Sequence, residues 1–172
     1  MIHRMAHNEL LNVLLAHDRW ATRQVLDACE RLPETALHQR FEIGRGSLHD
    51  TLTHMASAIT AWADTLGGRP RRPRMDEDGQ RRSIAELRAA LQAAYDALEA
   101  QAAQHAMEAP VTWRLRDGQT LPTTRGTIIA HVATHNMHHR AHCLNMLRRL
   151  SQGVPPTGIA EWVLLQNTPA GA

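Results

Sequence analysis

The chain has 172 residues, a formal net charge of +2, and 43% hydrophobic but only 3% aromatic residues. This length suits one domain with one core, residues 1–172, and a composition dominated by alanine and leucine favours helices over a β-sandwich. No apolar run reaches the roughly 18 residues of a membrane-spanning helix, no secretory signal opens the chain, and two cysteines are too few for a disulfide framework, so we expect a cytoplasmic protein with no membrane partner.

Four long helical patterns follow along the chain, each with apolar residues at helical spacing. Serine N-caps open two of them, and prolines or a glycine pair close three. The predicted helices run from Met5 to Arg31, from Ser47 to the glycine pair at 67–68, from Ser83 towards Pro110, and from Thr123 or Thr124 to Leu150. Helices of roughly 20 to 27 residues are about 30 to 40 Å long and stabilise one another by packing their amphipathic faces. We therefore predict an all-α four-helix bundle.

Three further segments are predicted between and after these helices. The basic run from Arg69 to Arg82 contains prolines, acids and a glycine, which is typical of a solvated loop, so we expect no nucleic-acid partner. From Val111 to Pro122, alternating residues surround an Asp117-Gly118 turn, which predicts a small β-hairpin between helices three and four. A short helix is predicted from Ile159 to Leu165. The long connections leave the order of the helices around the bundle open.

The stretch HVATHNMHHRAH, residues 131–142, holds five of the twelve histidines. Residues four apart share a helix face, and two imidazoles at that spacing form half of a site for zinc, nickel, copper or iron. Three pairs have this spacing: His131 and His135, His135 and His139, and His138 and His142. One helix cannot complete the site, because His135 and Cys143, for example, are separated by about 12 Å of helical rise. A third ligand is therefore expected from another helix, in the bundle interior.

Histidines outside this stretch are the candidates for the third ligand: His3, His7, His17, His38, His49, His54 and His105. The second predicted helix carries two of them, five residues apart, so that they point in different directions. His54 lies beside the apolar stripe of Leu52 and Met55, two turns inside the helix. His49 lies in the first turn, where we expect solvent. The pattern therefore favours His54.

At these residues the chain resembles the DinB/YfiT-like superfamily of metal-binding helix bundles. The last helix reads HVATHNMHHRAHCLNMLRRL, against a usual family pattern of HvxxHxxHHRGQ, and the second helix reads SLHDTLTHMASAITAW. The early DRWATRQVLDACERLP, the Asp-Gly hairpin and the late GVPP also fit, so the resemblance covers about Leu11 to Leu165. The order and spacing of these motifs carry the match.

The resemblance implies a metal site of three histidines, one from the second helix and two from the last. Carried over position by position, the ligands are His54, His135 and His139. His131 and His138 would then be neighbours rather than ligands. The resemblance also implies a non-sequential order of the helices and a homodimer. Where the family often has Gly-Gln after HHR, this chain has Ala141-His142, which changes the nearby wall of the pocket.

Three histidines leave a fourth coordination position open, which is typical of catalytic rather than structural metal sites. The expected cofactor is a divalent metal ion: zinc, nickel or iron. Characterised relatives in the family include thiol-dependent transferases and isomerases. The first hypothesis is therefore a thiol S-transferase, whose partners are a small-molecule thiol and a small electrophile. Trp20 and Arg140 are candidate pocket or support residues.

Two alternatives to thiol transfer stay open. A water molecule activated by the ion could carry out hydrolysis, although no carboxylate pair in the sequence identifies a general base. The chain could also be a non-catalytic, stress-linked metal-binding bundle.

Overall fold

A computed structural model describes residues 2–115 and 117–168, with side chains from residue 9 onward. In chain order, its elements are helix α1 (Ile2–Glu30), the single-turn helix α2 (Glu34–Leu37), helix α3 (Leu48–Leu66), a 3₁₀ turn (Met75–Glu77), helix α4 (Ile84–Gln104), strands β1 (Pro110–Arg114) and β2 (Thr120–Thr124), helix α5 (Arg125–Arg149) and helix α6 (Ile159–Asn167). The four long helices and the hairpin confirm the predicted fold class. The sequence did not predict α2 or the 3₁₀ turn, because three or four residues are too few to show a helical period.

The long helices are arranged around the bundle in a non-sequential order. Helix α1 packs mainly against α4 and α5, and α3 packs against the same two helices. The order around the bundle is therefore α1, α4, α3, α5, as the resemblance implied. In an up-and-down bundle α1 and α3 would be neighbours, whereas here they lie across the diagonal. This order makes α3 and α5, the two helices with the predicted metal ligands, direct neighbours.

Three of these helices begin at a side-chain cap. Ser47, Ser83 and Thr124 each accept a hydrogen bond from the backbone N–H three residues further on. At Ser83 the side chain of Glu86 also reaches back to the backbone of the cap, which completes a capping box. These bonds satisfy N–H groups that the start of a helix leaves unpaired, and they confirm the two serine start signals.

Helix α4 ends at Gln104, earlier than its sequence predicted. The following residue is extended, and the chain then turns into the hairpin. Two backbone hydrogen bonds hold this turn to the start of α5: Arg125 N to Ala109 O at 3.1 Å, and Gly126 N to Met107 O at 2.8 Å. Long-range pairing with α5 therefore ends α4 before the proline at position 110 is reached.

The core consists of apolar side chains from the four long helices. The predicted stripe of α3 is completely buried, with Leu52, Met55 and Ile59 all at 0% exposure. Leu98 of α4 and Met146 of α5 are equally buried against it. Within the described part of the chain, no helix combines the length and apolar character needed to cross a membrane.

Candidate metal centre

Three histidines meet where α3 and α5 run side by side, and we call His54, His135 and His139 the histidine triad. His135 and His139 are four residues apart on α5 and share one face, while His54 approaches from α3. Nε2 of His135 lies 3.3 Å from Nε2 of His54 and 3.2 Å from Nε2 of His139. One ring nitrogen of each residue lies within 4.8 Å of the other two. The fold thus brings together the three positions that the resemblance implied.

The spacing of these nitrogens fits a single metal ion. Tetrahedral sites have metal–nitrogen bonds of about 2.0–2.1 Å, which puts their ligand nitrogens roughly 3.3–3.4 Å apart. The separations of 3.3 and 3.2 Å at His135 correspond to this value. Hydrogen bonds explain these two short separations less well, because Nε2 of His135 carries at most one proton and cannot donate it equally to both neighbouring nitrogens.

Burial keeps the triad neutral. It lowers the pKa of His135 to about 4 and that of His139 to about 3, and the neighbouring histidines add to both effects. Burial also lowers the pKa of His54, although the hydrogen bond from this ring to a carboxylate opposes the change. Metal ions bind neutral imidazole, so the triad presents unprotonated ligand nitrogens at neutral pH.

Asp76 holds His54 in the orientation that the triad requires. Its Oδ2 accepts a hydrogen bond from Nδ1 of His54 at 2.8 Å, which leaves Nε2 of His54 as the free ligand nitrogen. Arg45 and Arg74 pair with the same carboxylate oxygen at 2.9 and 2.7 Å. Burial alone would raise the pKa of Asp76, but hydrogen bonds from Arg74 and His54 hold that pKa well below its usual range. The carboxylate is therefore charged and occupied by its partners.

The loop at residues 69–82 combines the solvated surface that its sequence predicted with a packed contact to α3. Most of the loop is exposed, but the 3₁₀ turn packs against α3, and its first backbone N–H donates a hydrogen bond to Ser57 Oγ at 2.9 Å. Asp64 of α3, only 2% exposed, also pairs with Arg72 of the loop at 3.0 Å. A buried carboxylate requires such a partner, so the loop arginines turn towards α3.

The sequence did not identify Asp76 as part of the site. A histidine that binds a metal usually donates its other ring N–H to a carboxylate or carbonyl group, so an acidic partner of His54 was to be expected. Asp76 stands 22 residues further along the chain, among arginines that marked the segment as a solvated loop. The packing of this loop on α3 is what brings the carboxylate to the ring.

His49 is buried rather than solvated, contrary to the expectation for the first turn of its helix. Its exposed fraction is 5%, and its Nε2 accepts a hydrogen bond from the backbone N–H of Arg82 at 3.0 Å. Its ring centroid lies 4.5 Å from that of His38. The loop that follows α3 returns across the start of this helix at Arg82 and covers part of the ring. His49 therefore has a structural environment of its own, apart from the triad.

A cavity of about 250 Å³ opens beside the triad, with His54 and His135 in its wall. The rest of the wall includes three aromatic rings, those of Trp62, Trp113 and His131. It also includes three arginines, Arg71, Arg74 and Arg114. The rings of Trp62 and Trp113 meet edge to face at 4.8 Å, and the ring of His131 lies 4.9 Å from that of Trp62. Burial lowers the pKa of His131, so this wall also contains a neutral imidazole.

A buried polar network ties α5 to α1 and α4 behind the triad. Asp18 of α1 forms a salt bridge with Arg140 of α5. Asp18 also accepts hydrogen bonds from the hydroxyl of Tyr95 at 2.8 Å and from Nδ2 of Asn136 at 2.7 Å. Burial raises the pKa of Asp18, and the charge of Arg140 together with these hydrogen bonds opposes the rise. Asn136 and Arg140 directly follow the two triad histidines of α5, so the network fixes the rotation of this helix.

The two candidate support residues have different places in the fold. Arg140 lies inside the bundle, 4% exposed, as part of the buried network. The ring centroid of Trp20 lies 6.0 Å from that of His17, and the ring of His17 lies next to that of Trp162 in α6. The sequence did not predict the partners of Arg140. A single acid within the apolar stripe of α1, Asp18, was the signal that could have revealed them.

Comparisons with known proteins agree with this fold. The family model described as DinB family matches residues 5–165. YfiT from Bacillus subtilis, described as a probable metal-dependent hydrolase with an unusual four-helix bundle topology, is similar in structure with a TM-score of 0.63. The two chains are 16% identical, and the similarity covers 84% of this chain and 90% of that one, which shows a shared fold. No curated protein matches the sequence at a significant level. Because the family model spans nearly the whole chain, the protein belongs to the DinB family.

Proposed function

We propose that the chain binds one divalent metal ion through Nε2 of His54, His135 and His139, and that the ion activates a nucleophile in the adjoining cavity. The observation that carries this proposal is the convergence of three imidazoles beside a cavity, with Nε2 of His135 at the spacing of tetrahedral ligands from Nε2 of both His54 and His139. Three protein ligands leave a further position for a reactant, as in catalytic zinc sites. Imidazole ligands suit zinc, nickel and iron alike.

Hydrolysis is the reaction that the cavity supports best. When bound, the ion would supply Lewis-acid chemistry and lower the pKa of a water molecule at the open position. His131 lines the same cavity, with its ring 5.7 Å from that of His135, and would accept the proton of this water. Arg114, at the cavity wall, would pair with an anionic group of the substrate. The description of YfiT as a probable metal-dependent hydrolase also favours this reaction.

Thiol S-transfer is the second candidate. A thiolate at the open position would remain deprotonated beside the ion, and Arg114 at the cavity wall suits the carboxylates of a thiol such as glutathione. This reaction, however, requires a thiol and an electrophile to share a cavity of about 250 Å³. Pockets for drug-sized ligands are typically about 300–1,000 Å³, so this cavity is small for two reactants. We therefore place thiol transfer after hydrolysis.

Metal content tests the ligand assignment. Untagged protein would be freed of metal with a chelator, dialysed against Zn²⁺ and measured by elemental analysis. We expect His54→Ala and His135→Ala each to bind one ion fewer than the wild type, because two remaining imidazoles hold zinc weakly. His131→Ala is the matched control, since it removes a cavity histidine outside the triad and should retain the wild-type content. An unchanged metal content in His135→Ala would refute the assignment.

Turnover assays separate the candidate reactions. Metal-loaded protein would be incubated with ester and amide substrates in the absence of thiol, and in parallel with several thiols and a panel of electrophiles. Hydrolysis without thiol that is lost in His135→Ala would support the first candidate. Thiol-dependent turnover lost in the same variant would support the second. Tight metal binding with no turnover in either assay would instead favour a non-catalytic metal-binding bundle.

A further inference from the structure

A second group of histidines lies on α5 next to the triad. His138 and His142 are four residues apart, and their ring centroids are separated by 4.2 Å. With His139 they offer three ring nitrogens that all lie within 4.8 Å of one another. The proposed reaction uses neither His138 nor His142. A pair of imidazoles at this spacing is half of a metal site in its own right.

His139 has a second ring nitrogen besides the one that faces His135. The residue is 7% exposed, and its Nε2 faces His135 at 3.2 Å. Its Nδ1 is buried and has no hydrogen-bond partner. Buried polar atoms are rarely left unpaired, because the unpaired state loses the hydration of the unfolded chain without replacement. A ligand at Nδ1 of His139 would account for this atom.

His142 is held in position by the loop that precedes α3. Gly44 of this loop has a φ of +52°, and a Cβ at that residue would collide with Nδ1 of His142. Glycine at this position therefore allows the ring to pack directly against the backbone. Nδ1 of His142 is buried against this loop without a hydrogen-bond partner, and Nε2 is the nitrogen that remains for a ligand.

We propose that His138, His139 and His142 bind a second divalent metal ion, and that His139 bridges the two ions. Nε2 of His139 would bind the ion of the triad, and Nδ1 would bind the second ion. A neutral imidazole carries one ring proton, so this proton passes to solvent when both nitrogens bind metal. Ligands made only of imidazole suit zinc, nickel and copper(II). The inference rests on the proposed function through His139 alone, because His138 and His142 form an independent half-site.

The number of bound ions tests the second site. Untagged full-length protein would be titrated with Zn²⁺ under equilibrium dialysis, with ions per chain measured by elemental analysis and folding checked by circular dichroism. We expect two ions in the wild type and one in His138→Ala and in His142→Gln. His131→Ala, which removes a histidine from the same helix but from neither site, should retain two.

A variant of the triad makes the two sites distinguishable. We expect His54→Ala to retain one ion and His54→Ala/His138→Ala to retain none. A wild type that saturates at one ion, with none left in His54→Ala, would overturn the second site and support the triad. A single ion that persists in His54→Ala but is lost in His138→Ala would support the second site and overturn the triad. A second ion that persists in both His138→Ala and His142→Gln lies elsewhere and would also overturn the proposal.

Discussion

His54 donates a hydrogen bond from Nδ1 to Oδ2 of Asp76 at 2.8 Å, across 22 residues of sequence. The bond determines that Nδ1 of His54 carries the proton, and it turns Nε2 towards His135. Arg45 and Arg74 pair with the same oxygen, so the carboxylate stays charged and in place. The orientation of a proposed metal ligand on α3 therefore depends on the loop that follows this helix.

Replacing Asp76 should weaken metal binding without removing a ligand. The substitution Asp76→Asn keeps the shape of the side chain but removes its charge. We expect the affinity for Zn²⁺, measured by competition with a chromophoric chelator, to fall about 10- to 100-fold, as it does when other metal ligands lose such partners. Asp78→Asn is the control, because Asp78 lies in the same loop but pairs with Arg82. Equal losses in both variants would indicate a loosened loop rather than a lost orientation of His54.

The metal-free protein should lose stability as the pH falls from about 6.5 towards 4. Burial lowers the pKa of His135 to about 4 and that of His139 to about 3, from an ordinary value of 6.5. In this window the unfolded chain binds protons that the folded chain excludes, so acid favours unfolding. Thermal unfolding of chelator-treated protein should show a falling Tm, with a shallower fall in His135→Gln. A Tm that stays constant between about pH 6.5 and 5 would contradict the prediction.

Breaking the buried ion pair behind the triad should destabilise the fold. Arg140→Met leaves Asp18, only 1% exposed, without its charged partner. We expect the free energy of unfolding, measured in urea, to fall by about 3–5 kcal/mol, the usual cost of removing one member of a buried pair. The double variant Asp18→Asn/Arg140→Met should be more stable than Arg140→Met, because no charge is then left unpaired. A double variant that is less stable would argue against this origin of the effect.

His131 should affect turnover rather than metal binding. If this residue accepts the proton of the attacking water, His131→Gln should lower kcat for hydrolysis about 10²- to 10⁴-fold, the usual contribution of a general base. Its metal content should match that of the wild type, because His131 lies with Trp62 and Trp113 in the aromatic wall. A parallel loss of metal would make His131 a support of the triad instead. An unchanged kcat would assign the base to another group.

Most of the fold could be predicted from local signals. The caps at Ser47 and Ser83 and the Asp-Gly hairpin each act over a few residues, so they are readable without the rest of the chain. The end of α4 was predicted less well, because hydrogen bonds from the start of α5 turn the chain before Pro110. The environment of His49 was predicted wrongly for a similar reason, since a returning loop covers it.

The sequence by itself determined that His135 and His139 share one face, because a spacing of four residues follows from the helical repeat. It also determined that this helix could not complete a metal site alone. Only the tertiary structure decided that α3 lies beside α5, that Asp76 returns to His54, and which histidines share the cavity. These features depend on the burial of apolar faces and the pairing of charges between segments far apart in the chain, which no local pattern of residues encodes.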